Sequence, residues 1–392
     1  MLRDKMLAVI AEVNEEVAER TVLIECIAIA LMTKKNLFIL GDTGQAKSYA
    51  INEFRKRIDG ARQFERLLSK QTDEEALFGR IDLKSLIDGD PKMITKGKIP
   101  DSHIVFLDEI FKSNEGVLNS LLTALNERRY TNESETVNIP AISFMSASNE
   151  IPNFNDPAEK ILKPLYDRFE LKVVTQYIEC RTERLNMLSR KQCAVGGQCM
   201  ASISLDELYD MQNETSSIII PEQINELMDD VLCELRRLGI HVSDRKYLNY
   251  YPIAQAKAWL GGHDTVKSVD LMILKNYLWT AVEEISVIQQ VLERLCENPL
   301  QEKLNGISVL ARDSYDEFID NVVVSPTKSL IKLRGELLRL YEMVMQINAD
   351  VPNSSDTAVI HDAVDQLESY SKAAHEKVGF TYAPLHELER LQ

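Results

Sequence analysis

Residues 41–48 read Gly-Asp-Thr-Gly-Gln-Ala-Lys-Ser and follow an apolar run from Leu37 to Leu40. Their order fits the phosphate-loop pattern G-x-x-x-x-G-K-[ST], except that Ala46 stands where a second glycine is usual. Backbone that passes under a phosphate needs small residues, and alanine is the smallest departure from glycine. We therefore predict a nucleotide site whose contacts come from Gly41, Asp42, Thr43, Gly44, Gln45, Ala46, Lys47, Ser48 and Tyr49.

Within this loop, Lys47 would supply a point charge to the terminal phosphates, and Ser48 a hydroxyl ligand for Mg²⁺. Residues 49–58 are predicted to form a helix whose amino end presents free N–H groups and the positive end of its dipole to the phosphates. The alternative is a glycine-rich turn that happens to end in lysine and serine, so the rest of the chain must discriminate between the two.

A second signal is the apolar run Ile104 to Leu107, which ends in Asp108 and Glu109. A short run of this composition is typical of a buried parallel strand, and ligands of open α/β sheets bind at the carboxyl ends of such strands. Asp108 could then hold Mg²⁺, and Glu109 could accept a proton from a water that attacks the terminal phosphate. Two acids after a strand are common by chance, but their combination with the loop is not.

Two more polar residues follow strand-like runs. Asn149 comes after the apolar segment 141–147, where its amide could position the attacking water, although a turn-forming asparagine is the simpler interpretation. Arg168, in Leu-Tyr-Asp-Arg-Phe, could pair with Asp167 or another neighbouring acid, or project as a charge for another subunit's phosphate.

The segments around these residues alternate between strand-like and helical. Residues 1–34 are predicted to form two helices, and residues 17–22 would lie beside the nucleotide's base or simply pack. Residues 79–97 resemble an exposed insertion whose lysines are either solvated or face a channel, and residues 128–139 indicate a hairpin. Helices are predicted at 181–191, 204–213, 221–238, 243–260 and 268–295, and again through most of 300–392. Arg245 near a helix start is unfavourable to the dipole, which indicates another reason for it.

Composition excludes some classes of protein. The chain has 392 residues, 45% of them hydrophobic and 27% charged, and a net charge of -16, which disfavours a large nucleic-acid contact surface. No segment reads as a membrane span or signal peptide, so we expect a cytoplasmic protein. The six cysteines are expected to be reduced, although Cys193 and Cys199 could close a small loop or contribute to a metal site.

Together, the loop, IVFLDEI, SASNE and LYDRF resemble, in type and order, a ring-forming ATPase of the AAA+ class, and within it the MoxR family and its RavA-type branch. The similarity covers roughly residues 10–290. It implies that Lys47 and Ser48 fall on Walker A, Asp108 and Glu109 on Walker B, Asn149 on sensor 1, Arg168 on the trans-acting arginine finger and Arg245 on the lid's sensor 2. Asp42 and Thr43 stand where many relatives have two prolines.

The resemblance also implies an α/β fold: an AAA+ core with a parallel five-stranded sheet sandwiched by helices (residues 1–178), an all-α lid (179–296) and a helical C-terminal module (297–392). Its members bind ATP or ADP with Mg²⁺, typically form hexamers and act as chaperone-like remodelers beside a protein with a von Willebrand factor A (vWA) domain. We expect an ATPase that remodels protein complexes. A nucleotide-gated scaffold with little turnover is the alternative, and a nucleic-acid motor is disfavoured by charge.

Overall fold

The computed structural model describes residues 1–88, 92–131, 136–192, 201–297, 299–323, 325–350 and 357–387. The chain divides into two compact units, Met1–Val291 and Leu292–Gln392. Cys193 and Cys199 lie outside the described residues, so the prediction of a loop or metal site there stays a prediction. The described cysteines, Cys26, Cys180, Cys233 and Cys296, are free thiols.

The helices through residue 292 are α1 Leu2–Glu16, α2 Thr21–Thr33, α3 Lys47–Lys56, α4 Glu74–Phe78, α5 Leu83–Ile87, α6 Glu115–Glu127, α7 Lys163–Tyr166, α8 Arg181–Gln192, α9 Leu205–Ser216, α10 Glu222–Arg237, α11 Asp244–Leu248, α12 Tyr251–Gly261, α13 Lys275–Leu278 and α14 Glu284–Leu292. The strands are β1 Leu37–Leu40, β2 Ile58–Asp59, β3 Gln63–Leu67, β4 Arg80–Ile81, β5 Met93–Ile94, β6 Ile104–Asp108, β7 Arg129–Thr131, β8 Thr136–Asn138, β9 Ser143–Ser148, β10 Leu171–Val174 and β11 Ile203–Ser204.

Five parallel strands form the central sheet in the order β10-β1-β9-β6-β3. Strands β1, β6 and β9 are buried along almost their whole length, as expected of a parallel sheet covered on both faces. Leu40 lies opposite Ser148 and Val174, and Asp108 lies opposite Ala147 and Leu67. The predicted α/β fold with a five-stranded parallel sheet is confirmed, and the carboxyl ends of all five strands meet at one edge.

Two antiparallel hairpins project from this core. Strands β4 and β5 pair within the segment predicted as an insertion, and β7 and β8 pair within the predicted hairpin. Phe78, just before the first hairpin, stacks on Tyr130 of the second at a ring-centroid distance of 4.2 Å. The bases of the two hairpins are therefore held together by an aromatic pair.

The helix predicted over residues 243–260 is wrong as a single element, because α11 ends at Leu248 and α12 begins at Tyr251. Pro252 lacks an N–H and fits only in the first turn of a helix, so a helix must start immediately before it. The helix predicted over 268–295 is also divided. A 3₁₀ turn, Ser268–Leu274, precedes α13, and the extended backbone of Trp279 ends that helix before α14 begins.

The second unit contains three long helices, α15 Pro299–Asn321, α16 Pro326–Asp350 and α17 Thr357–Val378. They enclose a core of their own that includes Phe318, Leu337 and Leu367. No strand occurs among the described residues of this unit, so the predicted helical character of the C-terminal part is confirmed. Across the described residues, no helix is both long and apolar enough to cross a membrane.

Candidate functional site

The loop after β1 turns sharply into α3. The N–H of Gly41 donates to the carbonyl oxygen of Ser148 at 3.0 Å, which ties the loop to the end of β9. The backbone is left-handed at Gly44 (φ 82°) and at Ala46 (φ 59°). Ala46 is the position where the phosphate-loop pattern has glycine, and its conformation gives the reason: glycine adopts this region without strain, whereas alanine does not.

Gly41 and Gly44 serve different purposes. A Cβ on Gly41 would lie 2.0 Å from Thr175 Oγ1 and 2.3 Å from Gln45 Oε1, so the packing of the loop against the end of β10 requires glycine. The sequence alone suggests only crowding of a phosphate. A Cβ on Gly44 would meet no heavy atom of the described residues within 4 Å, so the backbone there is open to a ligand.

The amino end of α3 presents the candidate phosphate ligands. Lys47 Nζ donates to the carbonyl oxygens of Gly41 and, at 3.3 Å, of Asp42. Burial lowers the pKa of Lys47, and the charges of Asp108, Glu109 and Asp42 oppose that shift. No side chain caps the helix start, where Ser48 is partly buried, so this end of α3 keeps free N–H groups. The charges of Lys47 and of the two acids at the end of β6 therefore act on one another.

Asp108 is the last residue of β6 and is partly buried. Burial raises the pKa of its carboxyl group, while the N–H of Glu109, which donates to Asp108 Oδ1 at 3.0 Å, and the charge of Lys47 lower it. A carboxylate near the charge of Lys47, which precedes Ser48, offers the hard oxygen ligand that Mg²⁺ prefers.

Glu109 adopts a left-handed backbone conformation, with φ 54° and ψ 46°. Its N–H donates to the carbonyl oxygen of Ala147 at 2.9 Å, which fixes it against the end of β9. Its Oε2 is buried and accepts no hydrogen bond of good geometry within the part of the chain that the structure describes, although it forms an ion pair with Lys112 Nζ at 3.2 Å. Strained backbone and an unsatisfied buried oxygen at a strand end are features that functional residues often show.

Asn149 follows β9 directly and is exposed. Because β9 lies between β1 and β6, Asn149 leaves the sheet between the phosphate loop and Asp108. Tyr49, predicted among the nucleotide contacts, lies on α3 with its hydroxyl near Glu53 and Glu16, whose charges help burial to raise its pKa.

A cavity of about 320 Å³ lies beside the loop. Its walls come from the start of α2, including Glu19 and Val22, and from β10 and the residues after it, including Thr175 and Tyr177. The Tyr177 hydroxyl donates to the carbonyl oxygen of Thr43 at 3.5 Å, so the cavity adjoins the loop. This is the segment, residues 17–22, for which the sequence leaves open a place beside the base.

Arg168 lies at the opposite end of the sheet from the loop. Its carbonyl oxygen accepts a hydrogen bond from Asn36 Nδ2 at 2.9 Å, one residue before β1. Since Leu37 is paired with Leu171 in parallel strands, this is the amino end of both strands. The length of β1 therefore separates Arg168 from Gly41 by roughly 10 Å or more along the strand direction.

Arg245 lies beside Arg168 rather than beside the loop. Burial and then the charge of Arg245 lower the pKa of Arg168. Both arginines line a cavity of about 580 Å³, together with Lys35, Lys163 and other residues. Arg168 Nε is buried and has no hydrogen-bond partner among the described residues, and Arg245 Nη2 donates to Asn126 Oδ1 at 3.4 Å. Asp167, Glu170 and Glu284 line the same cavity, and the charges of Asp167 and Glu170 oppose the fall in the pKa of Arg168, so acids of this chain balance part of the positive charge there.

Comparison with known proteins identifies the family of this fold. Residues 4–213, more than half of the chain, match the family described as the MoxR domain in the MoxR-vWA-beta-propeller ternary systems, and residues 220–292 match an AAA lid domain. The chain belongs to the MoxR family of AAA+ ATPases.

Relatives of this MoxR protein extend the similarity to both units. The uncharacterized protein MJ0079 of Methanocaldococcus jannaschii is 29% identical over 380 residues, which cover 96% of this chain and 97% of the relative. MJ0812 of the same organism is 28% identical over 377 residues, 92% and 96% of the two chains. The crystal structure of a candidate ATPase from Cytophaga hutchinsonii superimposes with a TM-score of 0.59 at 18% identity, covering 74% of this chain and 94% of that one, and supports the fold.

Sequence reasoning missed a pair of lysines next to the arginines of this MoxR chain, of which Lys172 is buried and Lys246 partly buried. Lys172 of β10 is fully buried, with Nζ 4.3 Å from the centroid of the Tyr166 ring. Lys246 Nζ donates to the carbonyl oxygens of Leu278 and Trp279, both at 2.9 Å. Burial lowers the pKa of Lys172 far below its ordinary value and that of Lys246 to about 8. The available signal was a lysine inside an otherwise apolar strand.

Proposed function

We propose that this MoxR chain hydrolyses ATP in an assembly of identical subunits and uses the cycle to remodel or mature protein complexes. The observation that carries the proposal is the position of the candidate residues at two ends of one sheet. Lys47, Asp108, Glu109 and Asn149 follow the carboxyl ends of β1, β6 and β9, whereas Arg168 and its neighbour Arg245 lie at the amino end. A subunit placed head-to-tail on the next would bring the two sets together.

The phosphate loop would hold ATP through the free N–H groups at the start of α3 and through Lys47, whose ammonium would exchange the carbonyl oxygens of Gly41 and Asp42 for phosphate oxygens. Ser48 and Asp108 would hold Mg²⁺. The described residues contain no cluster of three or more acidic, histidine or cysteine ligands, which fits a metal that takes its remaining ligands from water and phosphates. When bound, Mg²⁺ supplies charge neutralisation for the phosphates.

Glu109 would accept the proton of the attacking water, and Asn149 would orient that water through its amide. The Oε2 of Glu109 accepts no hydrogen bond of good geometry from the described residues, and its ion pair with the half-exposed Lys112 would have to open for it to accept the proton. Arg168 of the neighbouring subunit would stabilise the charge that develops on the transferred phosphate, an effect worth ~10³ to 10⁵ in rate in related systems. We assign Arg245 to the same trans role, because it lies with Arg168 and not with its own loop.

The Glu109→Gln variant tests the base assignment. It should bind ATP as tightly as the wild type but lose phosphate release, because the amide cannot accept the proton. An undiminished rate of phosphate release would remove Glu109 from the mechanism. ATP binding without turnover in the wild type itself would instead indicate the nucleotide-gated scaffold.

Subunit mixing tests action in trans. Arg168→Ala and Lys47→Ala proteins should each be inactive, but a 1:1 mixture should recover about a quarter of the sites, those with an intact loop facing an intact arginine. Arg245→Ala should complement Lys47→Ala in the same way. If Arg245→Ala fails to complement Lys47→Ala although Arg168→Ala succeeds, Arg245 serves its own subunit's nucleotide.

For partners, we propose a homo-oligomer, a hexamer by analogy with the family, and a protein with a vWA domain. The description of the matching family, which names MoxR-vWA-beta-propeller systems, supports that partner. The RavA-type branch and a cytoplasmic location stay predictions of the sequence. Affinity capture with ATP-loaded Glu109→Gln protein, followed by mass determination of the assembly, tests partner and subunit number together.

A further inference from the structure

Two adjacent residues outside every motif, Glu19 and Arg20, lie between α1 and α2 against the phosphate loop. Arg20 is 6% exposed, and its guanidinium donates to three backbone carbonyl oxygens. These belong to Glu19 (2.8 Å), to Gln45 in the loop (3.3 Å) and to Gln176 just after β10. Because the guanidinium is rigid and planar, a buried arginine that donates hydrogen bonds to three separate backbone segments holds those segments at fixed separations.

Gln45 gives the loop a second connection to the same segment. Its side chain is 4% exposed, and its Oε1 accepts a hydrogen bond from Thr175 Oγ1 at 2.7 Å. The N–H of Thr175 in turn donates to the carbonyl oxygen of Leu40 at 2.8 Å. The loop is therefore tied through backbone and side chain of one residue to Thr175 and Gln176.

Glu19 holds the next part of that segment. Its carboxylate accepts hydrogen bonds from the N–H of Glu179 at 2.8 Å and of Cys180 at 2.7 Å. Cys180 immediately precedes α8. The backbone of Glu19 is left-handed, with φ 54°, a conformation that a non-glycine residue keeps only where its surroundings enforce it.

We propose that Glu19 and Arg20 are positioning residues that couple the phosphate loop to residues 175–180, the segment that leads from the sheet to α8. A displacement of the Gln45 carbonyl must either break its bond to a buried guanidinium, leaving a charged donor unsatisfied, or carry Gln176 with it. Because Glu19 is bonded to Arg20 through the chain, the shift reaches residues 179 and 180 as well. This coupling rests on the proposed nucleotide-binding role of the loop.

The test compares the wild type with Arg20→Met and Glu19→Gln. It uses Arg237→Gln as a control because Arg237 lies exposed on α10 and forms an ion pair with Glu234 of the same helix at 2.9 Å. The readouts are the Kd for ADP and the amide hydrogen exchange of residues 176–180 with and without ADP. In the wild type and the control, ADP should change that exchange by roughly fivefold or more.

Arg20→Met should weaken ADP binding by about tenfold or more, because the loop loses its charged donor. At saturating ADP, Glu19→Gln should lose the ADP-dependent change at residues 179–180, the response that a merely structural role would leave intact. ADP binding with exchange at 176–180 unchanged in the wild type, or a full ADP response in Glu19→Gln, overturns the coupling alone. A wild type that does not bind ADP overturns the proposed function as well.

Discussion

Replacing Ala46 by glycine should stabilise the first unit of the chain. Ala46 has φ 59° and ψ 27°, the left-handed region, which costs an L-residue about 1–2 kcal/mol. Glycine avoids this cost but gives the unfolded chain more freedom, which offsets about 0.4–1 kcal/mol of the gain. The expected net stabilisation is about 1 kcal/mol, and it should raise the unfolding midpoint by roughly 2 °C for a unit of this size.

The assay is thermal unfolding followed by tryptophan fluorescence. Both tryptophans of the chain, Trp259 and Trp279, are buried in the first unit, so the signal reports that unit alone. The matched control is Ala11→Gly, the same chemical change at an exposed position inside α1. There the substitution should destabilise by about 1 kcal/mol, because helical backbone favours alanine.

If Ala46→Gly lowers the midpoint as much as Ala11→Gly does, then Ala46 does not hold the left-handed conformation in solution. The account of why the phosphate-loop pattern has glycine at this position would then be wrong. Repeating the scan with ADP and Mg²⁺ extends the test, since a pre-formed loop should show an ADP-induced shift at least as large as that of the wild type.

Three further changes follow from the structure. Gly41→Ala should abolish ADP binding, measured by titration calorimetry, because its Cβ would meet Thr175 Oγ1 at 2.0 Å; adding Thr175→Ala should restore part of it. Asn36→Ala should lower the free energy of unfolding, measured by chemical denaturation, by about 2–3 kcal/mol, because the Asn36 side chain makes three hydrogen bonds. Since one of these holds the Arg168 carbonyl, the substitution should lower the ATPase rate more than the affinity for ADP. Lys172→Met should raise the unfolding midpoint at pH 7. Burial depresses the pKa of Lys172 in the folded state, so its charge destabilises the fold at pH values below the unfolded-state pKa of about 10.4. This destabilisation, which methionine removes, fades as the pH rises towards that value. A stabilisation by Lys172→Met that grows with pH would contradict this account.

Much of the fold follows from local sequence. The runs at Leu37–Leu40 and Ile104–Asp108 are short, apolar and followed by polar residues, which predicts buried parallel strands with chemistry at their carboxyl ends. The structure confirms the predicted parallel five-stranded sheet. It also confirms the predicted helical character of the C-terminal part. The division of the helices after residue 243 was missed for two different reasons. Pro252 was an available signal for the start of α12, whereas the end of α13 coincides with tertiary contacts of the Leu278 and Trp279 carbonyl groups.

Positions far apart in the chain could not be placed in the same way. Nothing in the residues around Arg245 indicates that it lies beside Arg168, since that contact depends on how α11 packs against the sheet. The packing of Gly41 against Thr175 likewise joins residues 134 positions apart. Spacing within a motif predicts which strand end a residue follows, whereas the contacts between motifs are set by tertiary packing.

The separation of the phosphate loop from Arg168 and Arg245 restricts the symmetry of any active assembly. A two-fold dimer buries the same patch on both partners, so it completes a site only if loop and arginines share one face. Here they follow opposite ends of β1. If Arg168 and Arg245 act in trans as proposed, the contact must be head-to-tail. Such a contact leaves one unmatched loop and one unmatched arginine pair until the subunits close a ring. In the proposed assembly, dilution should therefore abolish turnover long before it unfolds a subunit. A chain that lacks both its loop and its arginines would silence a neighbour's site as well as its own.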